Sequence, residues 1–186
     1  MSSLTPEHQQ FLREVARQAV SAAANGQAPV DVQALADEAG LTLEGTLMEK
    51  RGVFVTLMAD KRLRGCIGFI EGFKPLVVAV AENGHNSAVG DPRFHPLQGH
   101  EVSNLDMELS VLTPLKEVMS HQDIQVGKHG ILLEKNGRQA VFLPQVATEQ
   151  GWDLDTTLTQ LALKAGLGPQ EWQQGANFKV FEAQIF

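Results

Sequence analysis

Residues 52–70, GVFVTLMADKRLRGCIGFI, decide the fold because they hold two strand-like stretches around a short polar turn. Residues 53–56 are β-branched or aromatic, and residues 63–70 form a second, largely apolar stretch. The polar residues 60–62 lie between them and supply the turn. Two such stretches on either side of a short turn predict a β-hairpin.

The second strand of this hairpin carries the sequence LRGCIG, with two glycines around the only cysteine of the chain. Strict alternation places Leu63 and Gly65 on one face and Arg64 and Cys66 on the other, about 7 Å apart unless the chain bulges. Glycine inside a strand is typical of a bulge or of a place where a ligand or another backbone approaches closely. Gly65 and Gly68 are therefore candidate binding residues.

Cys66 has two different interpretations. A guanidinium beside a thiol favours the thiolate, the nucleophilic form, so Cys66 is a candidate nucleophile and Arg64 its activator. The simpler alternative is that Cys66 packs as a small apolar residue on a buried strand, as cysteines commonly do. A role of the thiol in binding alone is a third possibility, and residue types leave all three open.

The remaining elements follow from hydrophobic periodicity and from residues that start or stop helices. Helices are predicted from Pro6 to a stop at residues 25–26, over 32–39, from Pro75 to 89, and from an Asp155 cap to 165. Strands are predicted over 106–112, on both sides of a turn at 136–137, and over 177–186 with a bulge near 180–181. Together they predict an α+β fold with a mainly antiparallel sheet and flanking helices, in one domain spanning residues 1–186.

The charge balance argues against a nucleic-acid partner. The 186 residues include 22 acidic and 15 basic side chains, for a net charge of −7. Nucleic-acid-binding proteins usually carry a basic surface that neutralises phosphates, so no nucleic acid is expected here. Residues 65–68 fit the G-x-x-G pattern of KH domains in form only, because they lie in a predicted strand.

Cysteine content and hydropathy indicate where in the cell the protein is found. A single cysteine rules out an intrachain disulfide and cysteine-rich zinc sites. The stretch MSSLTPEHQQ lacks the basic and apolar regions of a secretory signal, and no apolar run reaches the roughly 20 residues of a membrane helix. We therefore expect a cytoplasmic protein with no membrane partner. His95, His100 and Glu101 are metal-ligand types, but their loop-like spacing does not converge on one ion, so no metal site is predicted.

The segment LRGCIG resembles the signature of the AMMECR-type domain, which occurs in bacteria, archaea and eukaryotes. Further matching blocks keep the family order along nearly the whole chain: residues 52–57 (GVFVTL), 91–94 (DPRF), 108–115 (ELSVLTPL), 127–130 (GKHG), 143–147 (LPQVA) and 164–167 (KAGL). The resemblance implies an α+β fold with a larger and a smaller lobe that form a groove near the cysteine. It supplies no established activity, and the cofactors, if any, stay unknown.

The matched polar positions are further candidates for this groove. Asp91 follows a predicted helix end, and Arg93 is a natural partner for an anion or a carboxylate, unless the two residues only brace the turn at Pro92. Glu108 and Ser110 share one face of a predicted strand, where they line a pocket or simply face solvent.

Two more candidates come from the last third of the chain. His129, at the start of a predicted strand, is a candidate base for Cys66 if folding brings the two together. The alternative is a structural histidine that bonds a nearby backbone carbonyl. Gln145 follows a strand end, where functional side chains often collect, but it carries no chemical signature of its own.

Two functions from different classes are compatible with the sequence. The first is a thiol-dependent enzyme or enzyme subunit that uses Cys66, with Arg93 and Asp91 orienting an anionic or polar substrate. Prokaryotic members are linked by name to the AmmeMemoRadiSam system, which implies MEMO-like and radical SAM proteins as partners. The second is a non-catalytic binding or scaffolding module that presents a groove to a protein partner.

Overall fold

The structure is a computed structural model and describes residues 3–186. The helices are α1 Pro6–Ala24, α2 Val32–Ala39, α3 Leu76–Val89, α4 Pro144–Glu149 and α5 Leu154–Lys164. The strands are β1 Val53–Ala59, β2 Arg62–Phe69, β3 Leu105–Leu112, β4 Lys116–Val118, β5 Gly130–Lys135, β6 Arg138–Phe142, β7 Asn177–Phe181 and β8 Ala183–Ile185. This mixture of helices and antiparallel pairings confirms the predicted α+β class.

The chain divides into two compact units, each with its own sheet. The larger unit extends as far as Leu112 and takes in Gln184–Phe186, and the smaller one is Thr113–Ala183. The strand orders are β2-β1-β3-β8 in the larger unit's sheet and β4-β7-β5-β6 in the other. Strand patterns alone did not reveal that the strands separate into two sheets. Within the described residues, no helix is both long and apolar enough to cross a membrane.

The core of the larger unit lies between one face of its sheet and the helices α1 and α3. Val53, Val55 and Leu57 alternate along β1 and are fully buried on that face. The side chain of Thr5 accepts the His8 N–H and so caps α1, whose first residue is a proline as predicted. A buried apolar stripe then runs along α1: Phe11, Leu12, Val15, Ala16, Ala19 and Val20.

Both predicted hairpins form around two-residue turns. Asn136 and Gly137 have φ angles of 51° and 74°, the left-handed pair that a type I′ turn needs. Asp60 and Lys61 join β1 to β2 with φ angles of 50° and 62°, although neither is a glycine. Aspartate tolerates this region better than most residues, whereas lysine does so only under constraint from the flanking strands.

The smaller unit packs α5 against its sheet around Leu133, Leu158 and Leu161. The predicted cap at Asp155 was wrong, because Asp153 precedes the helix and its Oδ1 accepts the Thr156 N–H at 2.8 Å. An acidic residue in the first turn is favourable by itself, which explains why the two aspartates look alike in sequence. The short helix α4 had no counterpart in the predicted elements.

The predicted continuous strand over residues 177–186 was also wrong. It is interrupted at Glu182, and the pieces on either side, β7 and β8, belong to different sheets. The Glu182 N–H donates to Thr113 Oγ1 at 2.9 Å instead of joining a strand ladder. The disturbed alternation near 180–181 therefore marks a change of sheet and not a bulge.

Candidate functional site

The LRGCIG segment lies on β2, an edge strand whose pairing with β1 contains a bulge. Cys66 lies opposite Thr56. Nearer the turn the register shifts, so Leu63 lies opposite Met58 and Arg64 has no cross-strand partner. The strict alternation predicted for this strand was wrong here, because Leu63 shares the face of Cys66 and Arg64 is the extra residue of the bulge.

The two glycines around Cys66 are required by the protein's own packing. A Cβ added to Gly65 would lie 2.2 Å from the carbonyl oxygen of Ser87 on α3. A Cβ added to Gly68 would lie 2.4 Å from the Val53 carbonyl oxygen and 2.4 Å from the Phe54 ring. The predicted close approach is therefore present, and the groups that approach are α3 and β1.

Asp91 anchors the outer edge of β2. Its side chain is almost fully buried, and Oδ2 accepts the Cys66 N–H at 2.9 Å. Arg93 donates to both carboxylate oxygens, at 2.9 Å from Nε and 2.7 Å from Nη2. These bonds from Arg93, more than any other cause, hold the pKa of the Asp91 carboxyl far below its ordinary value. Asp91 is therefore ionised at neutral pH and fixes the cysteine's backbone.

A second polar group on α3 holds the next residue of the strand. Ser87 is buried, and its Oγ accepts the Ile67 N–H at 2.9 Å. The same hydroxyl donates to the Val55 carbonyl oxygen at 2.7 Å. The backbone N–H groups of Cys66 and Ile67 are thus both bonded to side chains of the larger unit. Neither N–H is free to bind a substrate oxygen in this arrangement.

Arg93 is the cation beside the cysteine. Its Nη2 donates to the Cys66 carbonyl oxygen at 3.3 Å, and its side chain is 55% exposed. Hydrogen bonds to Asp91 raise the pKa of Arg93 above its ordinary value. Arg93 therefore occupies the position beside the cysteine that was predicted for Arg64.

Arg64 is bonded elsewhere. Its Nε and Nη2 donate to the two carboxylate oxygens of Glu101 at 3.0 and 3.2 Å, and Nη1 donates to the His95 carbonyl oxygen at 3.0 Å. The bonds from Arg64 are the main cause of a lowered pKa at Glu101. Glu101, one of the three side chains considered as metal ligands, is therefore already paired with Arg64 through both carboxylate oxygens. Across residues 3–186, no three His, Cys, Asp or Glu side chains are grouped as a metal ion would require.

A shallow cleft lies beside the edge of β2. We call it the Arg93 cleft; it has a volume of about 400 Å³, and its lining consists of Arg64, Pro92, Arg93, Phe94 and His95. The Arg93 guanidinium lies 5.5 Å from the centre of the Phe94 ring. A guanidinium has five donor hydrogens. The bonds of Arg93 to Asp91 and Cys66 use three of them, so donors are left for a ligand in this cleft.

The side chain of Cys66 belongs to a row that crosses the sheet. Thr56 lies between Cys66 and Glu108 in the register of β2, β1 and β3. Its Oγ1 is 3.3 Å from Cys66 Sγ, so a hydrogen bond joins the two side chains. Ser110 shares this face two residues along β3; it is fully buried, and its hydroxyl has no hydrogen-bond partner in the part of the chain described. Sequence reasoning missed Thr56.

The two remaining candidates lie in the smaller unit. His129 Nδ1 accepts the Gln125 N–H at 3.1 Å, and burial is the main cause that lowers the pKa of this imidazole. His129 is therefore a neutral acceptor that closes a turn, and its role as a base for Cys66 stays a prediction. Gln145 lies in the first turn of α4, with its side-chain oxygen buried and unbonded among residues 3–186.

Comparison with known proteins places this arrangement in a family. The model of the AMMECR1 family matches residues 6–186. The chain belongs to the AMMECR1 family. Protein MK0488 of Methanopyrus kandleri, similar to this AMMECR1 protein, is 45% identical over 150 residues, which cover 75% of this chain and 72% of that protein. Protein MJ0810 of Methanocaldococcus jannaschii is 42% identical over 147 residues, which cover 74% of this chain and 73% of that protein.

A solved structure supports the same assignment. The crystal structure of the uncharacterized protein PH0010 from Pyrococcus horikoshii matches with a TM-score of 0.81 and 36% sequence identity. The match covers 94% of this chain and 88% of that one. None of these AMMECR1 relatives carries a name that states an activity, so the function is argued from the site itself.

Proposed function

We propose that this AMMECR1 protein is a non-catalytic binding module, and that its Arg93 cleft receives a carboxylate-bearing segment of a protein partner. One observation carries the proposal: the backbone of the cysteine motif is already bonded to the protein's own side chains. Asp91 takes the Cys66 N–H and Ser87 takes the Ile67 N–H. A nucleophilic site needs donors aimed at the charge that develops in the transition state, and these two are occupied.

The lining of the Arg93 cleft suits recognition of a carboxylate. Arg64 and Arg93 both contribute guanidinium groups to the lining. The hydrogens left over from their bonds to Glu101, Asp91 and backbone carbonyls, those on Arg93 Nη1 above all, can donate to a carboxylate. Pro92 and His95 are exposed beside them. Arg93 is held in place by Asp91, so little side-chain entropy is lost when a ligand binds. The family resemblance makes a MEMO-like protein the partner that we propose, with a radical SAM protein as the second candidate.

A thiol-dependent enzyme is the second candidate function, and the contact between Thr56 and Cys66 favours it. A hydroxyl at 3.3 Å from Sγ can donate to a thiolate, and the Arg93 charge lies nearby. Nucleophilic catalysis also needs a base within hydrogen-bond reach of the thiol. Thr56 is the hydrogen-bond partner of Sγ in the structure, and a threonine hydroxyl is no general base at neutral pH.

The binding proposal is tested by titrating the full chain against the purified MEMO-like and radical SAM proteins of the same genome. We expect micromolar binding to one of them, about tenfold weaker for Arg93→Gln and clearly weaker for His95→Ala. The His95 variant leaves the Asp91–Arg93 pair intact. Arg17→Gln removes the same charge from the exposed face of α1 and should change nothing. Failure to bind either protein at about 100 μM would overturn the proposal.

The two candidate functions predict different properties for Cys66. The binding module predicts that Cys66→Ala binds its partner as the native chain does. The enzyme predicts a thiolate that iodoacetamide alkylates at its full rate already near pH 7, whereas an ordinary thiol is half ionised only at about pH 8.5 and gains rate beyond it. Full-rate alkylation near pH 7, together with loss of partner binding in Cys66→Ala, would favour the enzyme over the module.

A further inference from the structure

A carboxylate outside the Arg93 cleft is connected to the wall of that cleft. Arg64 lines the cleft, but its Nε and Nη2 donate to the two carboxylate oxygens of Glu101 at 3.0 and 3.2 Å. Its Nη1 donates to the His95 carbonyl oxygen at 3.0 Å, and His95 also lines the cleft. One guanidinium therefore joins Glu101 to the backbone of the cleft wall.

Glu101 is itself held by the start of a short 3₁₀ helix, Gly99–Asn104. Its Oε2 accepts the Gln98 N–H at 2.8 Å, and the Gln98 side chain accepts the Glu101 N–H in return, which makes a capping box. Together with the two bonds from Arg64, three N–H donors meet this carboxylate. Glu101 is thus fixed by backbone on one side and holds Arg64 on the other.

The loop around His95 is anchored before and after this residue. Before it, Asp91 Oδ1 accepts the Arg93 N–H at 3.1 Å. After it, Leu97 is buried, and its N–H donates to a carbonyl oxygen of α3 at 2.8 Å. Between these anchors, the bond from Arg64 is the one hydrogen bond that residues 3–186 make to the backbone of His95. The placement of His95 therefore depends on the Arg64 guanidinium.

The exposed side chain of His95 lies where the partner's segment is proposed to bind. We propose that Glu101 is a positioning residue for this site: through Arg64 it orders the His95 loop before the partner arrives, and so strengthens binding. A loop that is already ordered loses less conformational entropy when a ligand binds. This role rests on the proposed function of the Arg93 cleft, and it adds a residue that the partner does not touch.

The charge of Glu101 by itself predicts the opposite effect. An acidic group beside a site for a carboxylate repels the ligand, so its removal would tighten binding. Removal would also free the Arg64 guanidinium to bind the partner directly. A positioning role predicts weaker binding instead, because the His95 loop loses its restraint. The sign of the change therefore distinguishes the two explanations.

The full chain with Glu101→Gln, titrated with the protein that the native chain binds, tests this sign. We expect binding about fivefold weaker than that of the native chain. Asp106→Asn is the matched control, because Asp106 is exposed and lies opposite Met58, which in turn lies opposite Leu63, the neighbour of Arg64. This variant removes the same charge nearby and should not weaken binding. Equal weakening in the two variants, or unchanged or tighter binding in Glu101→Gln, would overturn the proposal.

Arg64→Gln tests the route from Glu101 to the loop. In that background, Glu101→Gln should weaken binding no further, because the connection to His95 is already broken. A second fivefold loss in the double variant would show that Glu101 acts by another route, and would overturn the proposal.

A measurement on the free protein distinguishes this role from the proposed function. The heteronuclear NOE of the His95 backbone N–H reports the order of the loop on the picosecond to nanosecond timescale. It should fall in Glu101→Gln and stay unchanged in Asp106→Asn. An unchanged NOE in Glu101→Gln would overturn the positioning role even where the native chain binds its partner. A native chain that binds neither candidate protein would overturn the proposed function, and with it the gain in affinity assigned to Glu101, whatever the NOE shows.

Discussion

Three arginines of the larger unit fall into two groups that differ in how their charge is met. Arg64 and Arg93 each make paired bonds to a carboxylate, Glu101 and Asp91, and both belong to or adjoin the edge strand β2. Arg51 is more deeply buried than either, yet one end of its guanidinium has no hydrogen-bond partner in the described chain. The paired arginines stabilise a strand, whereas Arg51 is buried with one nitrogen that no acceptor meets among the described residues.

The largest effect is expected at Asp91, where the edge of β2 depends on one carboxylate. Asp91→Ala leaves the Cys66 N–H and the Arg93 guanidinium without their acceptor. We expect a loss of about 3 kcal/mol in the free energy of unfolding, measured by urea denaturation. Asp91→Asn, which keeps the shape and one acceptor, should cost less. A loss under about 1 kcal/mol for the alanine variant would show that the pair does not stabilise β2.

The loss of stability at low pH tests the role of Asp91 in a second way. The folded-state pKa of Asp91 lies below its unfolded value of about 3.9, so its contribution is complete above roughly pH 4 and is lost as the pH falls further. The native chain should therefore lose stability between about pH 4 and pH 2 more steeply than Asp91→Asn does. Urea denaturation at a series of pH values measures both slopes. If the free energy of unfolding fell equally steeply with pH in both proteins, the ionised Asp91 would not be stabilising the fold.

A moderate effect is expected at Glu101. Its pair with Arg64 is partly exposed, with 29% and 19% of the two side chains accessible, so solvent screens the attraction. Glu101→Gln should lower the free energy of unfolding by about 1 kcal/mol. The exposed glutamate Glu38 on α2, replaced in the same way, gives a control with the same change in charge. If Glu101→Gln lowered the free energy of unfolding as much as Asp91→Ala does, the buried Asp91–Arg93 pair would not differ in effect from the partly exposed Glu101–Arg64 pair.

The smallest effect is expected at Arg51. Arg51→Met keeps most of the unbranched stem, removes the guanidinium group with its buried charge, and leaves the Leu112 carbonyl oxygen without one donor. Because these changes oppose each other, we expect the free energy of unfolding to change by less than about 1 kcal/mol. A loss above about 2 kcal/mol would mean that Arg51 serves the fold as the paired arginines do.

Local signals in the sequence predicted local structure well. Asn136-Gly137 determines its own turn, and Thr5 with Pro6 marks the start of α1, because each depends only on neighbouring backbone. The interruption at Glu182 was missed because nothing local distinguishes a change of sheet from a bulge. The family motifs along the chain predicted two lobes, which hydrophobic periodicity alone did not.

The site was harder to predict because one inserted residue changes its register. A regular hairpin around Asp60-Lys61 would place Thr56 opposite Gly65, whereas the bulge at Arg64 places it opposite Cys66. The same bulge removes Arg64 from the cysteine's row. Arg93 comes close only because α3 ends where it does, a tertiary consequence that strand alternation does not contain.

Hydrogen exchange of the Cys66 and Ile67 amides tests most directly whether the protein's own side chains saturate this motif. Both amides lie on an edge strand, where exchange is ordinarily fast unless a side chain accepts the N–H. We predict protection close to that of the buried strand β1 for both, with Cys66 losing its protection in Asp91→Ala, which removes the acceptor. Rapid exchange at Cys66 in the native chain would contradict the account, because that N–H would then be free to serve a substrate.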